Sequence, residues 1–155
     1  LRNAFVHRRP GLLAGLAMLG LAFAGHASAQ AMGYAAGTTG GGNRTPVNVS
    51  TPDQMRAAIN AYSGTGGLVL NYTGRFSYTS ITDVCAQWQK APNVVEIKDK
   101  SDITILGAAG SSANFGIFIV GNSKNIIVRN MTIGLLPGGE GADSITVEGR
   151  GTGRI

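Results

Sequence analysis

Apolar residues recur at helical spacing in one part of the chain. Met55, Ala58, Ile59 and Tyr62 fall three and four positions apart, which places them on one face of an α-helix. Thr51 and Gln54 form a T-x-x-Q capping box, and Pro52 stands at the first helical position, where a missing N–H costs nothing. The spacing predicts a helix over Pro52–Tyr62, ended near Ser63-Gly64. Beyond Gly66 the period shortens to brief apolar runs between turn residues, the strand pattern. The runs are Gly67–Tyr72, Val94–Lys98, Asp102–Leu106, Phe115–Val120, Asn125–Arg129, Met131–Ile133 and Ser144–Val147.

Seven short strands with no helix between them exclude a βαβ arrangement and predict an all-β domain with a single helix at its front. Self-similarity narrows the choice. The stretch from Lys98 to Gly107 lies over Gly121 to Asn130 at an offset of 23 residues, and a shorter copy, Gly149 to Ile155, follows at an offset of 29. Such a repeat builds a column: each coil places its inward residues on those of the next, so Ile103, Ile126 and Ile155 would stack, with Asp102, Asn125 and Arg154 at the preceding corners. A β-sandwich would call for tight Asn-Gly or Asp-Gly hairpins, and this region has none. The expected fold is therefore a parallel β-helix with one N-terminal capping helix. Asn43, Asn48, Asn71 and Asn130 each open an N-x-[ST] triplet. We read them as turn and rung residues, with Asn130 hydrogen-bonding along the stack instead of carrying a glycan.

The first residues read differently. Arg2, Arg8 and Arg9 precede an uncharged apolar run from Gly11 to Gly25, and Ala27-Ser28-Ala29 and Ala29-Gln30-Ala31 fit the small-residue cleavage rule. About 15 apolar residues are too few to span a bilayer comfortably. This is the pattern of a general secretory signal peptide over 1–31, and it predicts an extracellular protein with no membrane attachment after cleavage. Residues 32–46, rich in Gly and Thr, read as a flexible leader, and 47–155 as the β-helix domain.

Charge and composition then remove several function classes. With the signal gone, thirteen Lys and Arg become ten against eight acidic residues, so the net charge is +2. Lys98, Lys100, Lys124, Arg129, Arg150 and Arg154 are dispersed along the sequence and read as solvated turn positions, not as a nucleic-acid track. Both histidines, His7 and His26, lie in the signal, which excludes Ser-His-Asp, Cys-His and His-zinc chemistry within the remaining residues. Cys85 is the only cysteine, so no intrachain disulfide can form. A 6% aromatic content, with Trp88 the sole tryptophan, argues against a sugar-stacking platform.

The segment Asn125-Ile126-Ile127-Val128-Arg129-Asn130-Met131-Thr132-Ile133-Gly134, running through Pro137-Gly138-Gly139-Glu140-Gly141-Ala142-Asp143-Ser144-Ile145-Thr146-Val147, resembles the extracellular pectate lyase family. Gly66-Gly67-Leu68-Val69-Leu70 and Ser101 to Gly107 resemble that family's first rungs, so the likeness covers about Val47 to Ile155. It implies a right-handed parallel β-helix acting as a monomer on pectate, with Ca2+ as cofactor and β-elimination as the reaction. Calcium neutralises the substrate carboxylate so that the neighbouring C5 proton becomes acidic, and in the family an arginine removes that proton. Asp143 matches a family calcium ligand. Glu140 is the nearby second candidate, since Gly141 stands where family members often carry another aspartate. The family's next segment, its later calcium ligands, its substrate-binding lysine and its catalytic arginine would all follow Ile155. The resemblance thus implies the front portion of such an enzyme, truncated ahead of its base and inactive by itself. Two other readings remain open here: a pectin lyase working on methyl-esterified substrate without calcium, and a non-catalytic β-helix that binds carbohydrate or serves as an adhesin.

Overall fold

The computed structural model describes residues 33–77, 94–134, 136 and 143–149. The signal region, Cys85, Trp88, Glu140, Arg154 and Ile155 lie outside the described residues.

In chain order the elements are β1 (Val47–Val49), α1 (Pro52–Ala61), β2 (Leu68–Tyr72), β3 (Val94–Lys98), β4 (Ser101–Gly107), β5 (Gly116–Val120), β6 (Lys124–Arg129) and β7 (Ile145–Glu148). Every pairing is parallel. One sheet has the order β1-β2-β4-β6 and the other β3-β5-β7, so from β2 onward successive strands alternate between the two sheets. Each coil of the chain thus adds one strand to each sheet, the construction of a parallel β-helix.

Register shows why this sequence stacks. Leu68 pairs with Ile103 and Ile103 with Ile126, while Leu70 pairs with Ile105 and Ile105 with Val128. In the second sheet Val95, Ile117 and Ile145 form one file, and Ile97, Ile119 and Val147 another. Like apolar side chains therefore lie over one another about 4.8 Å apart. The β-branched residues that dominate these files suit such a pleated, closely packed surface. Most of this column is fully buried, and Tyr72 meets Phe115 edge to face at 5.4 Å between ring centroids.

The helix closes one end of the column. Met55 and Ile59 are buried in the core, with Ala58 and Tyr62 packed against it. Thr51 caps the helix by accepting the Gln54 N–H at its hydroxyl. The reciprocal arm is shifted by one residue, because the Gln54 side chain accepts from the Ser50 N–H at 2.8 Å and not from that of Thr51. At the other end of the described stack, Ile145 and Val147 remain 46% and 48% exposed although they continue the core files.

Three expectations need correction. Met131–Ile133 is not a strand: Ile133 forms an isolated parallel bridge with Ala113. Among the described residues Asn130 forms no side-chain hydrogen bond along the stack. It is an exposed turn residue with φ of 57°, and the side-chain rung that does form joins Asn71 to Asn48 at 2.8 Å. The leader departs from flexibility over residues 38–44. The Thr39 and Gly40 N–H groups donate to Asn125 Oδ1, and the Gly41 N–H donates to Thr104 Oγ1. Arg44 reaches the Gly66 carbonyl. Gly41 is buried against β2 so closely that a Cβ there would stand 2.2 Å from the Leu68 carbonyl oxygen. The glycines that suggested looseness instead allow this segment to lie flat on the outer face of the first sheet.

Candidate functional site

The β3-β5-β7 sheet carries the sequence's best chemical candidate. Asp143 lies two residues before β7, with Ser144 between it and Ile145, the first paired strand residue. The Ile117 N–H donates to the Ser144 carbonyl at 3.0 Å, which fixes the entry to β7. Below this entry lies Gly116, buried and without a Cβ; a Cβ built there would come within 2.4 Å of the Asp143 carbonyl oxygen. Gly116 therefore sets how closely the Asp143 backbone can settle on the preceding coil. Asp143 itself is exposed, so its carboxylate is open to a solvent-borne partner.

Calcium takes six to eight oxygen ligands. Asp143 is right in kind for one of them; among the described residues no three His, Cys, Asp or Glu side chains converge. Whether Glu140 joins Asp143 lies outside the described residues. Glu148, at the far end of the same strand, is exposed and starts the turn at Gly149.

The structure also gathers residues that the sequence reading kept apart. Lys98 and Lys100, taken as dispersed turn cations, meet Arg56 of α1 around one cavity beside β3. The available signal was the alternation of β3, where Val95 and Ile97 point into the core and Glu96 and Lys98 therefore share the outer face. What the sequence did not show is that α1 lies against the free edge of this strand, with Arg56 Nε donating to the Val94 carbonyl at 3.0 Å.

The sequence matches the family model described as pectate lyase over residues 9–148. Pectate lyase C of Dickeya chrysanthemi is 41% identical over 134 residues, a match covering 75% of this chain and 35% of that protein. Among solved structures, pectate lyase II from Xanthomonas campestris pv. campestris superposes with a TM-score of 0.74 at 62% identity, over 79% of this chain and 37% of that one. Two structures of pectate lyase C are also similar. One is an arginine-to-lysine mutant in complex with pentagalacturonic acid (TM-score 0.65, 38% identity, 77% of this chain and 39% of that one). The other, from Erwinia chrysanthemi, was solved at pH 9.5 with 30 mM Ca2+ (TM-score 0.67, 36% identity, 81% and 40%). The chain thus spans roughly a third of the length of these proteins.

Proposed function

The chain belongs to the pectate lyase family, and from that membership we propose that it is the proximal part of an exported polysaccharide lyase that cleaves polygalacturonate by calcium-assisted β-elimination. The observation that carries this reading is the placement of Asp143: an exposed residue two positions before β7, its backbone carbonyl close over the buried Gly116, at a position that by sequence resemblance matches a family calcium ligand. Asp143 and Glu140 are the ligands proposed from this chain. The Ca2+ in one pectate lyase C structure and the pentagalacturonic acid in another support the cation and the substrate class. Bound calcium would offset the negative charge of the uronate carboxylate.

What this chain's own residues contribute is position and charge. The parallel register holds β7 in line with β5 and β3, and the exposed carboxylate of Asp143 presents negative charge at one end of that face. No residue of this chain is assigned as the base, and the chain by itself is proposed to be inactive. A neutral, methyl-esterified substrate would offer a carboxylate-held cation little to bind, so Asp143 favours pectate over pectin. For export, the apolar run near the start supports the reading; among the described residues no helix is long and apolar enough to cross a membrane.

The test joins residues 33–149 in frame to the distal part of the Xanthomonas campestris enzyme, replacing that enzyme's matching portion. The chimera is expected to release unsaturated oligogalacturonates from polygalacturonate with calcium and to stop in excess chelator. Equal cleavage of methyl-esterified pectin in chelator would overturn the calcium assignment in favour of a pectin lyase.

A further inference from the structure

Between α1 and the outer face of β3 lies a cavity of about 230 Å3. Its apolar lining comes from Ile59 and Val94, and its polar lining from Arg56, Asn60, Glu96, Lys98 and Lys100. Two of the cations are held by neighbouring groups. Arg56 pairs with Asp53 at 2.5 Å besides bonding the Val94 carbonyl. Lys100 Nζ donates to the Tyr62 carbonyl at 2.6 Å and lies 5.9 Å from the Tyr62 ring centroid. Lys98 is exposed and, among the described residues, forms no ion pair. With Asp53 offsetting Arg56 and Glu96 offsetting one lysine, the cavity keeps about one unit of positive charge.

We propose that this cavity is a subsite for a single uronate residue, with Lys98 taking the carboxylate, Asn60 and Glu96 bonding hydroxyls, and the half-buried Val94, backed by the buried Ile59, meeting the apolar face of the sugar ring. The proposal rests on the polygalacturonate reading and adds a second point of contact to it. The chemistry selects this ligand in three ways. One net positive charge suits one carboxylate, whereas the carboxylate of Glu96 repels a multiply charged phosphate and accepts from hydroxyls. The apolar wall suits a ring face and not a bare ion. The volume falls below the roughly 300–1,000 Å3 of sites for drug-sized molecules, so one ring fits and a chain must leave through the open side. Because β3 and β7 are two strand spacings apart, about 10 Å separates this strand from the one that Asp143 precedes. The subsite thus shares a sheet with the candidate calcium ligand without sharing its residues. Its cation is exposed, so binding weakens with salt as screening sets in over about 10 Å at 0.1 M.

The test is a titration of the 155-residue chain with D-galacturonate in chelator, followed by the methyl signals of Ile59 and Val94. Saturable shifts are expected, at least tenfold weaker for the methyl ester and for Lys98→Glu, several-fold weaker for Lys98→Ala, and unchanged for Asp143→Asn. The core methyls of Ile97 and Ile119 report that each variant is folded. Unmoved Ile59 and Val94 signals, or folded Lys98 variants that bind as the parent does, would overturn the subsite. So would equal shifts with inorganic phosphate, which would mark a simple anion site, or loss of binding in Asp143→Asn. The titration needs neither calcium nor turnover, so its failure leaves the lyase reading intact, and that reading fails only in the chimera assay.

Discussion

A single missing Cβ governs the candidate site. Gly116 lies buried beneath the approach to β7, and any side chain there must displace the Asp143 backbone. Gly116→Val is expected to destabilise the fold by about 1–3 kcal/mol, as overpacking does, and to lower the thermal midpoint; an unchanged midpoint would show that β7 yields freely. Residues with positive φ mark the corners of the coil: Asp99, Asp102, Asn125 and Asn130 all lie between 52° and 60°. Short polar side chains tolerate that region better than other non-glycine residues. Asp102 and Asn125 were legible as corners because each precedes an inward isoleucine. The role of Asn125 in holding Thr39 and Gly40 was not legible, because those partners are 86 and 85 residues away in sequence. Asn130 misled for a related reason: an asparagine suits both a ladder and a left-handed turn, and composition does not distinguish them.

At the scale of elements, α1 was the plainest, since its cap, its first-turn proline and its apolar face all agree. Thr51→Ala removes the hydroxyl that accepts the Gln54 N–H and is expected to cost about 1 kcal/mol, read as a lower midpoint in denaturant with the same slope. No change would mean that the Ser50–Gln54 contact alone suffices. The strands were legible where inward and outward residues alternate, as in β3, but β1 was not, because three residues carry too little pattern. The repeat was visible in the first sheet, where Ile103 and Ile126 are 23 residues apart and pair. The second sheet hid it: Val95 to Ile117 is 22 residues and Ile117 to Ile145 is 28, because the turns between coils differ in length. Stacking constrains the strands and leaves those turns free to vary.

Across the whole molecule, one end of the column is closed by α1 and the described site lies at the other, where β7 keeps Ile145 and Val147 partly exposed. The sequence sufficed for the architecture because a column is specified by local files of like residues. It did not suffice for the cavity, whose lining residues come from different elements and meet only after folding; Arg56 and Lys98, far apart in sequence, line it together. The proposed role of Asp143 is that of a calcium ligand in a polygalacturonate lyase. The most direct measurement is the initial rate of unsaturated-product formation by the chimera as a function of free calcium, with Asp143 and with Asp143→Asn. The Asn variant is expected to need at least tenfold more calcium for half-maximal rate, with an unchanged thermal midpoint in chelator. Superimposable calcium curves for the two proteins would contradict it.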